Sequence, residues 1–227
     1  VKQALQKALL LALLAALTVL LWLAFRPAGQ VDSASAPGPV SVGFAQDMSL
    51  HHEQALDMAR LALAQGSPQV QGLAQGIVNQ QLKELGYMQG WLLLWEAPPS
   101  SRTDDMPWMK QAYEQAGVRE PQYEQFIQRC NADQAMPGLA TPAQMAELAS
   151  LHGGAFDQAF LSRMVSHHQA AVVMARFAAQ HAESPVVRGF AASVASEQGM
   201  EVPLMLTQLA AVQRDMARLE AHAEALH

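Results

Sequence analysis

The chain has 227 residues, 51% of them hydrophobic, 6% aromatic and 15% charged, with 12 Met, eight His and a single Cys. Few aromatic and β-branched runs among abundant Ala, Leu, Gln and Met favour helices over sheet. A net charge of −6 argues against nucleic acid as a partner, and one Cys excludes an intramolecular disulfide.

The first predicted element is an apolar segment. Lys2 and Lys7 precede eighteen residues, Ala8 to Phe25, with no charge and only Thr18 as a polar group. As a helix this run is about 27 Å long, near the lower limit for crossing a bilayer. Residues 1–26 therefore read as an N-terminal membrane anchor or signal segment, with the remainder placed outside the cytoplasm by the positive-inside rule. Residues 27–40 form a Pro-rich flexible linker. Beyond Arg26 lie eleven basic residues against all twenty acidic ones.

The domain predicted over 41–227 is a duplicated helical hairpin. Helix 1 spans about Val42 to Gln65, ended by Gly66 in a left-handed conformation. Helix 2 runs from Pro68 to Glu96 with Ser67 as its cap, completing hairpin one over 42–96. The crossover, 97–156, carries short helices near Trp108–Ala116, Pro121–Cys130 and Pro142–His152. Hairpin two, 157–227, pairs a helix from Phe156 to Ala182 with one from Pro185 onward, interrupted in propensity by Pro203. The fold class is all-α: a four-helix bundle of two repeated hairpins with a long helical crossover.

The duplication is what carries the chemistry. Phe44, Met48, His51, Ala55, Met58 and Ala62 follow helical spacing down one face, and Phe160, Met164, His167, Ala171, Met174 and Ala178 repeat it residue for residue. The second helices continue the pattern: Ile77, Gln81, Glu84 and Met88 against Val194, Gln198, Glu201 and Met205. His51 and Glu84 lie roughly 23 and 26 Å from the hairpin turn at about 1.5 Å per residue, so they share a layer. Such a layer buries carboxylates and imidazoles together, which requires a proton, a hydrogen bond or a cation. Imidazole with thioether favours copper, Cu(I) above all, while carboxylate with imidazole also accepts other divalent metals. Because a ligand imidazole must be neutral, affinity is expected to fall below about pH 6.5.

Other readings stay open at this point. A seam Met by itself is core filler, and seam Glu and His pair equally well with each other to fix helix register. His52 and His168, one step round the helix, read as ligands, as hydrogen-bond donors to ligands, or as surface residues. Asp47, whose repeat counterpart is Arg163, reads as surface. A metal-dependent oxidase with Glu84 and Glu201 bridging two ions is the enzymatic alternative, though two carboxylates are few for it. A metal-free interaction bundle is the third.

The doublets Met48 to His52 and Met164 to His168, each trailed by Met-Ala at 58–59 and 174–175, resemble the domain of unknown function 305 family. So do Gln81-x-x-Glu84-x-x-x-Met88-x-x-Trp91 and the segment from Met136-Pro137-Gly138 to Phe156-Asp157. The resemblance implies an exported or membrane-anchored protein with a ferritin-like bundle, some relatives binding copper in copper tolerance. It carries Met48, His51, His52, Met58, Glu84 and Met88, with Met164, His167, His168, Met174, Glu201 and Met205, over as metal ligands. Met106, Met109, Met136 and Met145 in the crossover join them as further soft donors. The expected partners are a metal ion, the membrane and a second copy in a homodimer, with copper as cofactor and no catalytic residue.

Overall fold

A computed structural model describes residues 37–101, 105–117 and 119–225, together with the isolated positions 3, 16–18 and 22. Most of the predicted anchor and of the linker lies outside the described residues. Among the described residues no helix is long and apolar enough to cross a membrane. Residues 1–36 and 37–227 form separate units, and both hairpins belong to the second.

Among the described residues of that unit there are seven helices: α1 Pro39–Gln65, α2 Pro68–Leu94, α3 Pro107–Ala116, α4 Pro121–Asp133, α5 Pro142–Ser150, α6 Gly153–His181 and α7 Pro185–Glu224. Six of these begin with Pro, whose fixed φ suits the first turn and whose missing N–H would find no partner there anyway. α1 pairs with α2 and α6 with α7, α1 packs directly on α6, and the three crossover helices pack on α1 and α6. The result is the predicted all-helical bundle of two hairpins. α7 continues through Pro203 without a break.

Two local expectations need correction. Gly66 ends α1 at φ −73°, an ordinary extended conformation, with its N–H on the Ala62 carbonyl. Ser67, expected to cap α2, makes no side-chain cap, and neither does its repeat counterpart Ser184 before α7. Instead the hairpins cap each other: Asp157 accepts from the Ser67 N–H at 3.0 Å, and Ser41 Oγ accepts from the Ser184 N–H at 3.1 Å. Ser41 and Asp157 occupy the same repeat position, as do Ser67 and Ser184, so the two contacts are one contact made twice about a pseudo-twofold axis. Glu183 adds its carboxylate to the first backbone donors of α1, Val40 and Ser41, where the helix dipole favours a negative charge.

The crossover is held at both ends by one repeat position. Asp47, expected at the surface, is buried and accepts from the Trp108 indole N–H at 2.7 Å, which fixes α3 on α1. Its counterpart Arg163 pairs with Glu147 at 2.5 Å and fixes α5 on α6. Between these points the chain returns across the bundle through Met136-Pro137-Gly138. Gln54 on α1 binds both backbone groups of Ala140, donating to its carbonyl at 2.8 Å and accepting from its N–H at 2.7 Å. Gly138, at φ +90°, lies on α6 so closely that a Cβ there would stand 2.4 Å from the Ala170 methyl and 3.4 Å from the His167 Cα. The segment thus spans the α1–α6 seam at the height of the His doublets.

Candidate metal centre

Helical spacing turns His51 and His167 toward each other across the α1–α6 contact. Both are fully buried, and their rings stand 3.6 Å apart between centroids with planes inclined by 37°. No ring nitrogen of either makes a hydrogen bond. Burial drives the His51 imidazole well below the usual histidine range, aided by His52 and His168. Burial does the same at His167, with His51 the largest of the neighbouring contributions. The pair is therefore neutral at physiological pH, its lone pairs unused.

His52 and His168 face the second helix of their own hairpin. His52 Nε2 lies 2.6 Å from Glu84 Oε2, and His168 Nε2 lies 2.8 Å from Glu201 Oε2. Burial alone would raise the Glu84 carboxyl, but His52 and the Gln80 amide outweigh it and hold it below the usual carboxylate range. An ionised carboxylate can only accept, so Nε2 of His52 carries the proton. Nδ1 of His52 and Nδ1 of His168 are left buried with no partner. This is the carboxylate–imidazole arrangement that orients a histidine for a metal on its other nitrogen. Glu84 and Glu201, expected as ligands, are thus each engaged by a histidine, His52 and His168, themselves expected as ligands. The sequence carries a signal for this: both doublets recur, and both face a Glu at the same height.

The six seam methionines are all fully buried but do not mingle in one place. Met48, Met88 and Met174 belong to one apolar cluster, together with Met106, Met109 and Met136 of the crossover. Met58, Met164 and Met205 belong to another, against which Met145 packs. Each seam triplet is the repeat image of the other, so the pseudo-twofold axis that runs between His51 and His167 also relates the two thioether clusters. Gln81 and Gln198, another related pair, are buried with neither amide atom hydrogen-bonded.

Among the described residues, no three His, Cys, Asp or Glu side chains close on a single point. The centre offers neutral nitrogen donors and, on either side, sulfur. This donor set fits a soft monovalent ion better than a hard divalent one. The unpaired acceptors, one ring nitrogen of each neutral imidazole and the amide oxygens of Gln81 and Gln198, are the structural observation that a cation would satisfy, since each costs about 1–3 kcal/mol left unpaired.

The depressed pKa values fix a pH dependence. A base whose folded pKa lies below its unfolded one contributes stability above the unfolded value and loses it as pH falls. Below about pH 6.5 the unfolded chain takes up protons that His51 and His167 refuse, at about 1.4 kcal/mol per pH unit for each. Urea unfolding of the metal-free chain is therefore expected to show about 2–3 kcal/mol less stability at pH 5.5 than at pH 7. A flat profile would contradict a neutral buried pair.

A family model described as Domain of unknown function (DUF305) matches residues 41–209, three-quarters of the chain and most of both hairpins. The chain belongs to the DUF305 family. A DUF305 crystal structure from Streptomyces coelicolor shares 30% identity at a TM-score of 0.63, over 80% of this chain and 96% of that one. A DUF305 fragment from Deinococcus radiodurans shares 26% at 0.58, over 77% and 97%. The Cu(I)-bound form of CopM shares 24% at 0.52, over 74% and 93%, a likeness of fold. No curated protein matches the chain by sequence. As a DUF305 protein it has the helical bundle and duplicated doublets that its sequence announced.

Proposed function

We infer that this DUF305 protein is an extracytoplasmic copper-binding protein that holds Cu(I) at the His51–His167 pair for chelation or carriage. The observation that carries the reading is the set of buried, unpaired imidazole nitrogens on the pseudo-twofold axis. His52 and His168, backed by Glu84 and Glu201, complete the nitrogen donors, and Met48, Met58, Met88, Met164, Met174 and Met205 supply thioether on both flanks. Cu(I) suits such a site because a single positive charge there needs little compensation, and the Glu84 carboxylate stands one residue behind. CopM, which shares the fold, is known in Cu(I)-bound and Cu(II)-bound forms.

The rest of the chain fits this role. Residues 1–26 serve as anchor or signal segment, the stretch from 27 up to the start of α1 at Pro39 as linker, and the bundle from there on as the binding domain. The Streptomyces relative is designated a secreted protein. The test is elemental analysis of the full chain purified without chelator, then Cu(I) titration against a competing ligand. Stoichiometric, tight Cu(I) binding is expected. Iron or manganese at two per chain would instead favour an oxidase, and no metal under any condition would make the layer a device of helix register.

A further inference from the structure

The imidazole pair is enclosed on most sides. The two methionine clusters lie on either flank, and Met136 to Ala140 spans the α1–α6 seam. Between α2 and α7 the lining changes character. Gln80 and Glu197 occupy the same repeat position on these helices, and the Gln80 amide donates to the Glu197 carboxylate and, at 2.9 Å, to Glu84 Oε1. Glu201, one turn along from Glu197, holds His168 while keeping 28% of its side chain exposed. One helical step inward from the Gln80–Glu197 contact are Gln81 and Gln198, each only 2% exposed and each with both amide atoms unpaired.

From outside to inside, the pseudo-twofold axis therefore meets a Gln–Glu hydrogen bond, two further carboxylates, two unpaired amides and the imidazole pair. Glu84, Glu197 and Glu201 gather three carboxylates at this face against the nearby Lys83, so it carries an excess of negative potential. Such a potential concentrates cations at the mouth of a site. The unpaired amide oxygens of Gln81 and Gln198 then offer a cation acceptors between mouth and centre, at a point where the fold gains nothing from them.

We propose that the α2–α7 face is the route by which a soft monovalent cation reaches and leaves the imidazole pair, with Glu197 as its outer docking group and the Gln80–Glu197 hydrogen bond as its closure. Glu197 is a positioning residue here and not a ligand of the bound ion. The inference rests on the copper reading above and adds the path to it.

The experiment is stopped-flow Cu(I) uptake and release by the full chain, beside an equilibrium competition titration. Glu197→Gln keeps a hydrogen-bonding partner for Gln80 and removes only the charge. It is expected to slow uptake and release alike by about threefold or more, with affinity within about twofold of the unmodified chain. Gln80→Ala removes the closure and keeps every carboxylate, and it is expected to speed release. Unchanged rates in both variants would overturn the route. So would a drop of about tenfold or more in the affinity of Glu197→Gln, about 1.4 kcal/mol, because Glu197 would then be a ligand. An unmodified chain that binds no Cu(I) would take down the copper reading and this one with it, whereas binding with unchanged rates removes this one alone.

Discussion

Replacing His51 and His167 together by leucine is expected to weaken Cu(I) binding by about a hundredfold or more while leaving the metal-free fold at least as stable. The two effects have one cause. The imidazoles bring four ring nitrogens into a fully buried site where none has a partner, and each such group costs about 1–3 kcal/mol. Leucine fills nearly the same volume without that cost, and apolar replacement of buried polar groups is commonly neutral or stabilising by about 1–4 kcal/mol. Competition titration and chemical denaturation at pH 7 read the two effects separately. Retained Cu(I) affinity would end the copper reading. A loss of several kcal/mol in stability with no metal present would mean that the pair is architecture.

Gly138→Ala is expected to cost about 2–4 kcal/mol of stability, combining left-handed backbone strain with a steric clash. The added methyl would meet the Ala170 methyl at 2.4 Å, and the Ser166 carbonyl at 3.2 Å, with the backbone already at φ +90°. Neither neighbour is the free end of a flexible side chain, so the segment or α6 has to move. Gln54 holds Ala140 to α1 through two hydrogen bonds, so the displacement passes into the α1–α6 spacing that sets the imidazole contact. Denaturant unfolding measures the cost, and amide exchange over Ser166 to Ala170 locates it. A cost under about 0.5 kcal/mol would show that the segment lies more loosely on α6 than its geometry requires.

How much of the fold and of the centre is legible in the residues depends on range. Helix borders and the His–Met seam follow from local periodicity, and all the seam methionines and both seam histidines are buried as spacing requires. α1 begins three residues before the predicted Val42 because Pro39 opens the helix, whereas a Pro-Gly stretch by itself reads as linker. His52 and His168 are harder to place, since a position 100° off the seam looks peripheral until the second helix of the hairpin is laid alongside it. Asp47 reads as surface because its partner, Trp108, lies 61 residues away in the crossover, and periodicity says nothing about such pairs. The Gln80–Glu197 contact spans 117 residues and joins two unlike side chains at one repeat position, so comparing the copies for identity passes over it.

That contact also says something about why the two hairpins belong to one polypeptide. In a dimer of identical hairpins with true twofold symmetry, a residue on the axis meets its own copy. Glutamate would oppose glutamate at this point, or glutamine would oppose glutamine, and neither yields a single anionic group tethered by a neutral donor. Joining the halves covalently removes that constraint, and Asp47 with Arg163 uses the same freedom to grip opposite ends of the crossover. Fusion also replaces an encounter between two molecules by a closure within one, whose effective concentration is independent of how dilute the protein is. The centre of this protein is then complete in every folded chain, however dilute.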